Sequence, residues 1–142
     1  MLSADDVKAL LPEIVAATRQ NAPSGEMFRM GIRWAGLELL ARFRIREGMG
    51  LCVDMMNEFE WGRELEPCIR PLKTYGGAAK EMIPRLRETM VAMRKGYEAN
   101  QWDSRLDQDV KAIEKLIKEI EADKKPAPVR SIEEFTGKIG QP

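Results

Sequence analysis

Four carboxylates crowd one short stretch of this chain: Glu58, Glu60, Glu64 and Glu66, with Trp61 among them. Acids so spaced can serve as the acid and base of a glycosidase or as oxygen ligands for a cation, with the indole as a sugar platform. The plainer alternative, which we favour, is a solvated turn leading into a helix whose first turn welcomes negative charge. A carboxylate-bridged di-metal bundle would need Glu-x-x-His, and the chain has no histidine. That absence also removes His triads, His general bases and His metal ligands. The second cluster is basic. Arg29 and Arg33 stand one helical turn apart, Arg42, Arg44 and Arg46 follow, and Trp34 lies among them. Such a face can grip phosphates. Glu26 and Glu38 share the same element, so solvated arginines with their stems laid over a neighbouring helix are the plainer reading. Gly48-Met49-Gly50 and Gly76-Gly77 lack the strand–loop–helix context and the Lys-Ser/Thr of a phosphate loop, and they read as turns. Ser, Cys and Lys nucleophiles show no partner base, a Ser–Lys arrangement aside. No catalytic group, metal or cofactor is expected.

The remaining bounds are set by length and composition. At 142 residues the chain is one domain, long enough to bury a core of its own. Hydrophobic residues are 44% and charged residues 32%, which fits a soluble globular chain rather than a disordered one. Lys+Arg and Asp+Glu are 23 each, so no global field recruits nucleic acid or an anionic membrane. Met1 opens directly into Leu2-Ser3-Ala4-Asp5-Asp6, without a basic and apolar leader, so no signal peptide is expected. No run of about 18 apolar residues occurs, so no membrane span is expected. The compartment stays open, with the cytoplasm as the default. Cys52 and Cys68 sit in apolar helical contexts and read as buried thiols.

Every periodic segment is helical. Ser3 with Asp6 is an N-cap, and Val7, Leu10, Leu11, Ile14 and Val15 follow at helical spacing. Asn21 to Gly25 is turn chemistry. A broad stripe from Met27 to Phe43 predicts a helix wrapped by neighbours, broken briefly at Arg46-Glu47-Gly48. Leu51 to Phe59 follows as a shorter helix. Trp61 to Tyr75 reads as helix that Pro67 and Pro71 must kink or divide. Gly76-Gly77 is a stop, and Ala78 to Tyr97 restarts the helix. Ser104 caps a patterned helix with Leu106, Val110, Ile113, Leu116, Ile117 and Ile120 on one face, ended by Pro126 and Pro128. In the segment beyond, Ser131-Ile132-Glu133-Glu134 has capping-box spacing. There, Val129, Ile132, Phe135 and Ile139 can pack back on the last long helix or act as a linear docking segment. The nine methionines, at helical spacing, read as core filler.

Three helices share a local pattern: Leu11-Pro12-Glu13-Ile14-Val15, Met49-Gly50-Leu51-Cys52-Val53 and Ile83-Pro84-Arg85-Leu86-Arg87. Their first residues are 38 and then 34 apart. Asp54 matches Glu88, Met56 matches Met90, and Pro12 and Pro84 share a slot that suits the first turn of a helix. Tyr75-Gly76-Gly77-Ala78-Ala79-Lys80-Glu81-Met82-Ile83-Pro84-Arg85-Leu86 resembles the turn and inner helix of HEAT repeats of the short bacterial type. Leu37 to Phe43 followed by Glu47 to Leu51 resembles the preceding unit, with Gly50 where proline is usual. The likeness covers roughly residues 3–98. The combination also resembles the C-terminal helical-repeat end of large, uncharacterised bacterial proteins. The resemblance implies an all-α fold, a short α-α solenoid of stacked helix pairs whose inner helices line a concave surface that holds partners. The expected organisation is repeats over 1–98, a capping helix over 99–125 and a proline-containing tail over 126–142. Pro67 and Pro71 depart from a regular outer helix. The first recognisable helix is an inner one without its outer partner. Either an irregular cap starts the array or the chain is the end of a longer solenoid, and the second is favoured.

Two functions follow as expectations. The first is a non-catalytic module, a scaffold that binds a protein partner or other domains of a parent chain, with Glu13, Asp54, Glu58, Arg85 and Glu88 on or near the concave face. Self-association through an exposed end of the array belongs with it. The alternative is a nucleic-acid-binding helical repeat using Arg29, Arg33, Arg42 and Arg46, which the balanced charge disfavours. An enzyme is a distant third, because nothing assembles nucleophile, base and orienter.

Overall fold

The computed structural model describes residues 3–19, 27–58, 65–100 and 106–137, with the side chains of 27–30 and 97–100 outside that description. The described elements are all helical. They are α1 (Ala4–Arg19), α2 (Met27–Arg42), α3 (Glu47–Met56), α4 (Glu66–Tyr75), a 3-10 segment (Gly76–Met82), α5 (Ile83–Asn100), α6 (Leu106–Ala122) and α7 (Ile132–Thr136). The turn expected at Asn21–Gly25, the acids Glu60 and Glu64 with Trp61, the Ser104 cap and Ile139 lie outside the described residues.

Local chemistry explains the boundaries. Ser3 Oγ accepts from the Asp6 N–H, and the Asp6 carboxylate accepts from the Ser3 N–H and hydroxyl, so two orphan donors are satisfied at the start of α1. Those bonds hold the Asp6 carboxyl below its usual range, the backbone donor contributing most. Pro12 does not sit in a first turn as expected. It lies in the middle of α1, on its exposed side, where the lost N–H bond faces water. Pro67 falls in the first turn of α4, a tolerant position, and Pro71 lies inside that helix. Gly76 ends α4 at φ 58°, ψ −135°, a conformation that side chains on Cβ rarely allow. The chain then tightens into the 3-10 segment before α5, so the expected restart at Ala78 is delayed to Ile83.

α2 ends at Arg42, earlier than the break expected at Arg46-Glu47-Gly48, and Glu47 and Gly48 already belong to α3. The signal was present: Arg42-Phe43-Arg44-Ile45-Arg46 alternates charge and apolar residue, a period that suits extended chain rather than helix.

α1 packs on α2. α2 packs on α3 and α4, α4 packs on α6, α3 packs on α5, and α5 packs on α6. Leu11, Leu37, Leu40, Met49, Met56, Leu72, Leu86, Ile113 and Leu116 are fully buried between them. Among the described methionines, Met49, Met55, Met56 and Met93 are buried, as expected of core filler. Exposed ion pairs follow the same neighbours: Glu38–Arg70 joins α2 to α4, Asp54–Arg85 joins α3 to α5, and Arg87–Glu121 joins α5 to α6. Each contributes under about 1 kcal/mol and serves register more than stability.

The segment after α6 does not lie principally on α6. It crosses the molecule in extended form and docks α7 against α1. Ile45 and Arg130 pair in parallel, with Arg46 N–H donating to Arg130 O at 2.8 Å and Arg130 N–H donating to Arg44 O at 2.9 Å. Ser131 Oγ caps α7 by accepting from the Glu134 N–H, and Phe135 is buried against Phe43 with ring centroids 5.8 Å apart.

Candidate functional site

The five residues expected on a partner-binding face separate into three groups: Asp54, Arg85 and Glu88 on the adjacent helices α3 and α5, Glu13 on α1, which packs chiefly on α2 and α7, and Glu58. Glu13 on α1, Asp54 on α3 and Glu88 on α5 are exposed, and Arg85 is half-buried. α3 and α5 lie side by side, and Arg85 Nη2 donates to Asp54 Oδ1 at 2.5 Å across them. One turn further on, Asn57 Nδ2 donates to Thr89 Oγ1 at 2.9 Å and to Val53 O at 2.9 Å, while the Thr89 hydroxyl donates to Arg85 O. These bonds hold the end of α3 to α5 and fix the spacing of the charged side chains between them. Gly50 borders this junction, and a Cβ there would make only an ordinary contact, 3.6 Å from Arg85 Nη1.

Glu58 belongs elsewhere. Its carboxylate receives both ends of the Arg33 guanidinium, at 2.6 Å and 2.5 Å, and Arg33 Nε donates to Thr18 O at 2.8 Å. Arg33 retains 2% of its side-chain exposure and Glu58 retains 31%. A bidentate pair of this kind has fixed geometry and shorter bonds than neutral partners make. It clamps α1, α2 and the end of α3 together. The structure thus unites one residue from each expected set in a single partly buried ion pair.

The other arginines of the nucleic-acid reading are dispersed. Arg46 is exposed and bidentate to Glu81, which raises its guanidinium pKa above the ordinary value. Arg42 is exposed and lies over the Phe43 ring. Arg29 falls within α2, its side chain outside the described residues. Among the described residues no group of three His, Cys, Asp or Glu side chains could hold a metal ion, and no helix is long and apolar enough to cross a membrane.

Sequence reasoning missed Arg44. It adopts φ 57°, left-handed for a non-glycine residue. Its guanidinium donates to four main-chain oxygens, those of Thr74, Tyr75, Ala127 and Pro128, at 2.7–3.1 Å. The strain of a non-glycine residue in this region, about 1–3 kcal/mol, is held by those bonds. Arg44 joins the end of α4 to the segment after α6. Asp123 secures the same junction: its carboxylate accepts the Gly77 N–H at 2.7 Å, which holds it below the usual carboxylate range.

Beneath this junction lie Cys52 and Cys68, both buried as expected and not joined in a disulfide, and the Tyr75 phenol, which donates to Ile45 O at 2.6 Å. Burial first, and Cys68 second, push the Cys52 thiol up. Burial, then Cys52, push the Tyr75 phenol well above its usual value, against an opposite pull from Arg44. Both groups are protonated in the folded chain at pH values where the unfolded chain has lost the proton. Their contribution to stability is therefore complete below about pH 8.5, where an unfolded thiol begins to ionise, and declines as pH rises. The unfolding free energy from urea titrations at pH 7 to 10.5 should fall above about pH 9, by up to about 1.4 kcal/mol per pH unit through the thiol, with the phenol adding to the slope only above about pH 10. A flat profile would mean the thiol and the phenol are not shielded. Compared with known proteins, the chain matches no protein-family model, no curated protein and no solved structure.

Proposed function

We propose that this chain is a non-catalytic helical-repeat module that holds a protein segment, or another domain of a parent chain, on the face of α1, α3 and α5. In this reading its helices stack in HEAT-like pairs as a short solenoid, α6 closes the stack, and α7 braces its first helix. The order of neighbours supports the stacking: α2, α4 and α6 follow one another side by side, and α3 lies beside α5.

The observation that carries the functional reading is the α3–α5 junction. Asp54, Arg85 and Glu88 stand on it with at least partial exposure, held in register by the Asp54–Arg85 and Asn57–Thr89 bonds. A face whose side chains are already ordered loses little entropy when a partner docks, and charge on rigid helices gives specificity. Glu58 is no longer part of that face, because its carboxylate is committed to Arg33. The expected result is that Glu13→Lys, Asp54→Lys and Glu88→Lys together weaken binding of the captured partner about tenfold or more, about 1.4 kcal/mol. The melting temperature should move little, since exposed substitutions usually stay within about 0.5 kcal/mol each. Calorimetry of binding and of melting decides the matter. A fall in melting temperature with unchanged affinity would reject the reading.

A further inference from the structure

Among the described residues, the polar bonds between the segment after α6 and the rest of the chain engage its main-chain atoms, and three apolar side chains add to them. Arg44 donates to Ala127 O and Pro128 O, Arg130 exchanges two main-chain bonds with Arg44 and Arg46, and Glu47 accepts the Ile132 N–H at 2.7 Å. Its chief side-chain anchor is Phe135, 2% exposed against Phe43, with Lys8 Nζ 5.7 Å and the Arg130 guanidinium 5.0 Å from its ring, and Val129 and Ile132 pack half-buried on the core beside it. Docking through one isolated bridge, side chains that grip main-chain atoms and a few apolar anchors is indifferent to which copy of the chain supplies the segment. The segment also carries its own local order, with Ser131 and Gly137 capping α7 at its two ends. Its link to α6 is the stretch Lys124, Lys125 and Pro126, all exposed, which leaves Asp123 fixed on Gly77.

We propose that residues 127–136 dock in trans as well as in cis, so that two copies of this chain exchange this segment into each other's groove at Phe43–Glu47. The contacts are the same in both arrangements, so the balance turns on the link. Cis docking wins in dilute solution, because a short link gives an effective concentration in the millimolar range. Exchange becomes competitive when the chain itself approaches about 1 mM. Reciprocal exchange closes as a two-fold dimer and leaves no groove empty. This inference is independent of the α3–α5 face, which lies on other residues.

The test uses two full-length variants. Phe135→Asp spoils the segment and keeps the groove. Arg44→Ala with Glu47→Arg spoils the groove and keeps the segment. Neither can dock in cis, and only the mixture holds an intact segment and an intact groove. Translational diffusion measured by NMR at about 1 mM should show monomers for each variant alone and a doubled mass for a 1:1 mixture. Monomers in the mixture, with both variants helical by circular dichroism, would overturn the proposal. Should either variant fail to fold, the wild-type chain decides. Isotope-labelled and unlabelled chains, incubated together at about 1 mM a few degrees below the melting temperature, should yield a mixed dimer by native mass spectrometry. Monomer alone would overturn it equally.

Discussion

Glu58→Ala should lower stability by about 3 kcal/mol, a fall in melting temperature on the order of 10 °C, and it should exceed the cost of removing Arg33. The asymmetry follows from burial. Arg33 retains 2% of its exposure, so losing the Glu58 carboxylate takes two close acceptors from a cation that has little water to replace them. Glu58 retains 31%, so in Arg33→Met its carboxylate can turn toward solvent while the methionine stem fills most of the space. A further cost there falls on the Thr18 carbonyl, which loses the Arg33 Nε donor, about 1–3 kcal/mol. The double variant, with neither charge in place, should be more stable than Glu58→Ala alone. Chemical denaturation of the three variants reads these differences. Equal costs for both single variants would mean that the pair is as wet as an ordinary surface bridge.

Gly48→Ala should be nearly as damaging, and Tyr75→Phe should partly rescue it. A Cβ at Gly48 would stand 2.2 Å from the Tyr75 hydroxyl and 2.8 Å from Leu40 Cβ. Both neighbours are fully buried, so the helices must move apart or the phenol must swing off Ile45 O. Overpacking of this kind costs about 1–3 kcal/mol, and the Ile45 carbonyl, which keeps the Gly48 N–H at 3.1 Å, loses one of its two donors, about 0.5–1.5 kcal/mol. Tyr75→Phe alone should cost about 0.5–1.5 kcal/mol, one hydrogen bond, since Ile45 O still accepts the Gly48 N–H. In the double variant the clash with the hydroxyl is gone and the Leu40 contact remains. The combined cost should therefore fall short of the sum by about 0.5–3 kcal/mol, the coupling expected of residues in contact. Strict additivity in urea titrations would show that α3 and α4 are not seated as described.

The sequence was most informative where the cause is local. The Ser3–Asp6 cap, the stop at Gly76, the all-helical class and the burial of the methionines and both thiols follow from a few adjacent residues and their spacing. It was least informative where the partner is remote. Arg33 looks like any other arginine of α2, because the carboxylate that draws it inward is 25 residues away. Arg44 reads as a surface charge until the oxygens of Ala127 and Pro128, more than 80 residues on, come to its guanidinium. The tail was read as packing on the last long helix or as a linear docking segment. Its path to α1 depends on main-chain atoms that carry no signature of their own. Pro12 was misplaced for a different reason: the match to Pro84 invited the same slot, whereas the Ser3 cap starts α1 well before it.

These corrections also sharpen the functional question. Arg33 and Glu58 stood in opposing sets of candidate residues, and their pairing buries Arg33 and commits the half-buried Glu58 carboxylate to it. The reading that remains rests on Glu13, Asp54, Arg85 and Glu88. The most direct measurement places a photo-reactive amino acid, one position at a time, at Glu13, Asp54 and Glu88, and at Lys111 and Lys118 on the exposed side of α6. Irradiation in the presence of the captured partner, followed by mass spectrometry of the adducts, maps the contact. The account predicts adducts from Glu13, Asp54 and Glu88 and none from α6. Adducts from α6 alone, or equal yields from both sides, would contradict it.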